Sequence, residues 1–115
     1  MVYNIEYLGK QLPIFISHYA MKMLWEESKK TVDDVLLDNA GFNTGIEVFL
    51  YYCLEAGHRK EEKIFNLKDK KEEMQWILDD NFLKFQEIVR ENFIRVALDA
   101  ENQTEEPEDE KKNQE

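Results

Sequence analysis

Along residues 2–8, apolar and polar positions alternate, with Tyr3, Ile5 and Tyr7 falling on one face. Gly9-Lys10 then reads as a turn, and Leu12-Pro13-Ile14-Phe15-Ile16 as a returning strand, so the pattern predicts a short β-hairpin. Pro13 lacks a backbone donor, so its strand is expected to lie at an edge or to end early. Beyond the hairpin the period changes from two to 3.6. Ser17 is a natural N-cap for a helix over about 18–29, in which Tyr19, Ala20, Met21, Met23, Leu24 and Trp25 fill a wide apolar arc. Thr31 caps a second, short helix with Val35 and Leu36 inward, ended by Gly41.

Residues 44–56, TGIEVFLYYCLEA, are the most apolar segment and predict the central helix. Ile46, Phe49, Leu50, Cys53, Leu54 and Ala56 span one broad face. Glu47, Tyr51 and Glu55 form the narrow polar stripe, with Val48 and Tyr52 beside it. Gly57 is expected to end this helix from a left-handed C′ position, leaving His58-Arg59-Lys60 against its negative end. Asp69 with Glu72 resembles a capping box opening a helix over about 70–80, whose inward face is Met74, Ile77 and Leu78. Asn81 then leads into a last helix over about 82–100, lined by Phe82, Phe85, Val89, Phe93, Val96 and Ala97. The expected fold is mainly α, a small helical bundle with a short N-terminal β-hairpin.

Composition narrows the function classes. The chain has 115 residues and a net charge of −10, enough for one small domain with a modest core. Residues 101–115 hold seven acids and two lysines and lack any large apolar side chain. Nothing there offsets the entropy of ordering, so the expected division is a folded body at 1–100 and a disordered acidic tail at 101–115. Net negative charge argues against sequence-independent binding to nucleic acid or an anionic membrane. A single cysteine makes no internal disulfide and points to a reducing compartment. No signal-peptide pattern opens the chain and no apolar run approaches a membrane span, so a soluble, cytoplasmic protein is expected.

The chemistry-bearing residues point away from catalysis. Cys53 sits mid-face on the central helix, where a thiol is packing, and His58 follows without a specified carboxylate partner. The acidic doublets at 26–27, 33–34, 61–62, 72–73 and 79–80 point 100° apart on a helix, a poor geometry for a shared metal or acid–base site. Neither His18 nor His58 falls in a ligand spacing, and no Gly-rich phosphate loop, paired metal-ligand cysteines or HExxH motif is present. No catalytic residue, cofactor or metal site is expected. More informative are apolar residues off the inward faces. Leu83, Ile94 and Leu98 form a second stripe on the last helix, flanked by Glu87 and Arg90, and Trp76 points opposite to Met74, Ile77 and Leu78. These four, with Tyr51 and Tyr52 as weaker members, are the candidate contact surface for a partner or a second copy of the chain.

Four pieces of the chain together resemble the tail assembly chaperones of long-tailed bacteriophages, prophages and gene transfer agents. "YNIEYLGKQLPIFIS" looks like that family's strand, glycine turn and second strand. "HYAMKMLWEESKKTVDDVL" resembles its first helix and the Ser/Thr-capped segment after it. "VFLYYCLEAGHRKEE" is similar to its apolar helix closing in Ala-Gly before a basic loop. "LKDKKEEMQWILDDN" resembles its next capped helix, with an acidic pair at the end. The likeness covers residues 2–98 and departs from the family at 38–45, "DNAGFNTG", where the second helix is short. The resemblance implies a non-enzymatic protein of the bacterial host cytoplasm, absent from the mature virion. It implies binding to the tape-measure protein, which is kept soluble, and help in recruiting tail tube protein. Self-association is compatible with it. An alternative from another class is an acidic nucleic-acid mimic that inhibits a host nuclease or repressor, although half of the excess charge lies in the tail.

Overall fold

The computed structural model describes residues 1–37, 44–66 and 70–104, with 44, 70, 71 and 93–104 described in backbone only. Of the expected tail over 101–115, residues 105–115 lie outside the described residues, as do the Gly41 stop and the Asp69 cap. Strand β1 (Val2–Tyr7) pairs antiparallel with β2 (Lys10–Phe15), in a register running from Val2↔Phe15 to Tyr7↔Lys10. The turn therefore sits one residue earlier than Gly9-Lys10. Its two loop residues are Leu8 and Gly9, both with positive φ (53° and 76°), the type I′ signature that matches strand twist. Ile5 on β1 and Ile14 on β2 are fully buried.

In such a ribbon, residues alternate between exchanging hydrogen bonds and turning their backbone groups outward. Counting from the turn, Glu6 and Pro13 both fall at outward positions, one on each free edge. Helices cover these edges, which is how the fold keeps a two-stranded ribbon from templating other strands.

Helix α1 (His18–Ser28) begins where Ser17 Oγ accepts from the Ala20 backbone N–H at 3.0 Å, and ends at Lys29 in the left-handed region. Of its wide apolar arc only Ala20 and Leu24 are buried; Tyr19 and Trp25 remain about half exposed. Helix α2 (Val32–Leu36) has a full capping box: Asp34 accepts from the Thr31 backbone N–H at 2.8 Å, and Thr31 Oγ1 accepts from the Asp34 N–H. The Thr31 backbone N–H, helped by the Thr31 hydroxyl donating to the same carboxylate, holds the Asp34 carboxyl below its ordinary range.

Helix α3 (Thr44–Lys60) is the central element and is longer than expected. It does not stop at Gly57. Glycine is required there for space: a Cβ at Gly57 would stand 2.2 Å from the Pro13 carbonyl oxygen and 2.7 Å from the Ile14 nitrogen. The backbone of α3 lies directly on the outer edge of β2. The basic triplet His58-Arg59-Lys60 is the last turn of α3 itself, at the negative helix end.

The two helices expected over 70–80 and 82–100 are one, α4 (Lys70–Thr104), which also runs four residues past the expected end of the folded body. At 1.5 Å per residue its 35 residues span about 52 Å, comparable to the 53 Å long axis of the molecule. Asn81 interrupts nothing. It is buried inside α4, and its side-chain amide donates to the Glu6 carbonyl at 2.8 Å and the Ile77 carbonyl at 3.0 Å. The outer edge of β1 is thereby tied to α4, as β2 is to α3. Between the helices the core holds Leu24, Ile46, Phe49, Leu50, Leu54, Met74, Ile77, Phe85 and Val89, with the Phe49 and Phe85 rings 6.0 Å apart. Gln86 joins α2 to α4 by donating to the Val35 carbonyl at 3.2 Å. The protein is mainly helical with an N-terminal two-stranded antiparallel hairpin, as the sequence pattern predicts.

Candidate partner-binding surface

The continuity of α4 brings together two residues that a break at Asn81 would separate. Trp76 and Leu83 are seven residues apart, two turns, and so lie on one line of the same rigid helix. Trp76 is 56% exposed and Leu83 74%. The opposite side of the helix buries Met74, Ile77, Leu78, Phe85 and Val89, so the inward face is committed to the core and cannot rotate outward.

Residues three and four positions away are neighbours on a helix surface. Around Trp76 these are Glu72, Glu73, Asp79 and Asp80; around Leu83 they are Asp79, Asp80, Gln86 and Glu87. Seven of those eight places are acidic, because Asp79 and Asp80 serve both apolar residues. Glu72, Asp79, Asp80 and Glu87 are exposed, and Trp76 Nε1–H donates to Glu72 Oε2 at 3.4 Å. Glu73 instead accepts from the Tyr7 hydroxyl at 2.7 Å, a second tie between β1 and α4. The surface is an apolar line set in carboxylates. The side chains of Ile94 and Leu98 lie outside the described residues, although the backbone is helical through both.

Tyr51 and Tyr52 stand differently. Tyr51 is partly buried, its ring edge-on to Tyr52 at 5.0 Å and tilted on Phe65 at 5.2 Å. Tyr52 is 6% exposed and offers no contact surface. The reason is α1: Tyr19 packs edge-on against Tyr52 at 5.8 Å, and the Tyr52 hydroxyl donates to the Glu27 carboxylate. Burial first, then the bond to Glu27, pushes the Tyr52 phenol far up. A helical wheel of α3 cannot show this, because it carries no information on where α1 lies.

Cys53 is fully buried, and burial pushes its thiol well above the ordinary range. His58, inside α3 and not beyond it, is buried with Nδ1–H donating to the Leu54 carbonyl at 2.7 Å and its ring 4.9 Å from Phe65. His18 is exposed at the start of α1. Among the described residues, no group of three or more His, Cys, Asp or Glu could hold a metal ion, and no helix is long and apolar enough to cross a membrane.

One surface feature is invisible in the sequence pattern. Where α1 begins beside the ends of β2 and α3, Phe15, Ser17, Tyr19, Glu55, Ala56, Arg59 and Lys60 line a hollow of about 620 Å³. Lys60 Nζ stands 4.9 Å over the Phe15 ring. The only available hint is that α1 carries more large apolar residues than one face can bury. Comparison of the chain with family models, curated proteins and solved structures finds no match.

Proposed function

We propose that this chain is a non-enzymatic tail assembly chaperone of the long-tailed phage type. In this reading it binds the tape-measure protein, keeps it soluble and helps recruit tail tube subunits. It works in the host cytoplasm and leaves no copy in the finished virion. The observation that carries the reading is the exposed Trp76–Leu83 line on a helix whose other side is locked into the core. A protein that must hold an aggregation-prone helical client needs a rigid apolar strip that stays available in its own folded state. The first two resembling pieces support the same reading, because the hairpin, the Ser17-capped helix and the Thr31-capped segment they describe occur in that order. The acidic surface suits a carrier that must keep its complex soluble.

The test is co-expression with the longest coiled-coil-rich protein encoded just downstream in the same genome. The expected result is a larger soluble fraction of that protein and co-elution of the two, both reduced by Leu83→Lys together with Leu98→Lys. Absence of rescue by well-folded protein overturns the reading. Nuclease inhibition in that case would put the acidic mimic in its place.

A further inference from the structure

We propose that the Trp76–Leu83 face of α4 docks an amphipathic helix whose apolar line is flanked by lysine or arginine. The inference deepens the chaperone reading by naming the chemistry of the client segment, and it rests on that reading only for the client's identity. Three observations carry it. Both apolar residues are exposed on one bearing of α4, about 10 Å apart at the rise of an α-helix. Their helix-surface neighbours are almost all carboxylates, and four of them, Glu72, Asp79, Asp80 and Glu87, are exposed. The strip belongs to a helix pinned by Asn81 to β1 and by Gln86 to α2, so its residues are pre-positioned before a partner arrives.

This charge pattern discriminates among occupants. A second copy docking strip to strip would set Glu72, Asp79, Asp80 and Glu87 against the same carboxylates, and like charges facing each other oppose association. An anionic surface meets the same repulsion. A helix presenting two or three leucine-type residues between basic side chains gains both apolar burial and charge pairing. Asp79 and Asp80 matter most, since each sits next to both anchors.

The probe is a 14-residue leucine–lysine model helix with a fluorescent label, compared with its leucine–glutamate counterpart. Anisotropy titrations use the full chain at two salt concentrations. Emission of Trp76 is followed in a Trp25→Phe background, where it is the only indole. Binding of the basic helix with a shift in Trp76 emission is expected, and the acidic helix should not bind. Leu83→Ser should weaken binding about tenfold, the scale of an interface anchor. Asp79→Asn with Asp80→Asn should also weaken it and flatten its salt dependence. Leu83 is exposed, so these variants should retain the wild-type circular dichroism and urea midpoint. Equal binding by wild type and Leu83→Ser would mean attraction by net charge alone and would overturn the proposal, as would tight binding of the acidic helix. The two readings fail separately. Peptide binding without client rescue keeps the docking face and removes the chaperone role. Client rescue without peptide binding keeps the chaperone and removes this face.

Discussion

The side-chain amide of Asn81 donates to the main-chain carbonyl of Glu6 across 2.8 Å, joining the middle of the longest helix to the free edge of the first strand. The same amide also reaches the Ile77 carbonyl one turn back, so both its protons are used. If Asn81 merely interrupted a helix, alanine would improve the helix and stabilise the protein. The structure requires the opposite. Asn81→Ala leaves the part-buried Glu6 carbonyl without this donor and should cost about 1 kcal/mol. Asn81→Asp, which sets a carboxylate against that carbonyl, should cost more. Urea unfolding of the three proteins gives the order directly, and a stabilised alanine variant would refute the tether.

Gly57 makes a complementary test on the other edge of the hairpin. Alanine would gain about 1 kcal/mol of helix propensity at an interior position. Its Cβ, however, would stand 2.2 Å from the Pro13 carbonyl, and backbone on both sides leaves no flexible atom to give way. The clash should win, with a net loss of about 2 kcal/mol. The loss should come with shifted amide resonances at Pro13's neighbours Leu12 and Ile14.

At the hairpin turn the sign reverses. Leu8 occupies a left-handed conformation at φ 53° with its side chain 81% exposed. Leucine pays a steric penalty there that asparagine largely avoids. Leu8→Asn creates an Asn-Gly type I′ turn and should stabilise the protein by about 1 kcal/mol, read as a higher urea midpoint with an unchanged slope.

Cys53 gives a pH dependence. The native thiol is held protonated by burial, whereas the unfolded chain ionises it near the ordinary value of 9.0. Above that pH the native state binds more protons than the unfolded state, so stability is full below it and falls as pH rises. The wild-type urea midpoint should therefore drop more steeply between pH 7 and 10 than that of Cys53→Ala, which starts lower because of its cavity. In native protein at pH 8 the thiol should react with a disulfide reagent only as fast as the chain opens.

Much of the architecture was legible in the order of residues because it depends on local rules. The alternation of Tyr3, Ile5 and Tyr7, the Ser17 and Thr31 caps, and the apolar face of Ile46, Phe49, Leu50, Cys53 and Leu54 are short-range signals. Each is present in the structure. The two misplaced helix ends share one cause. Gly57 and Asn81 carry the local marks of helix ends, yet each sits inside a helix because a distant strand edge claims it. One is a close approach to Pro13 and the other a hydrogen bond to Glu6.

Sequence by itself therefore determined the helical class, the hairpin and the off-face position of Trp76 and Leu83. Only tertiary structure decided that α3 and α4 run unbroken, that Tyr52 is enclosed by α1, and that Trp76 and Leu83 form one line among carboxylates. Glycine and asparagine are ambiguous in a one-dimensional pattern. What resolves them is the space and the hydrogen-bond partner that another part of the chain provides.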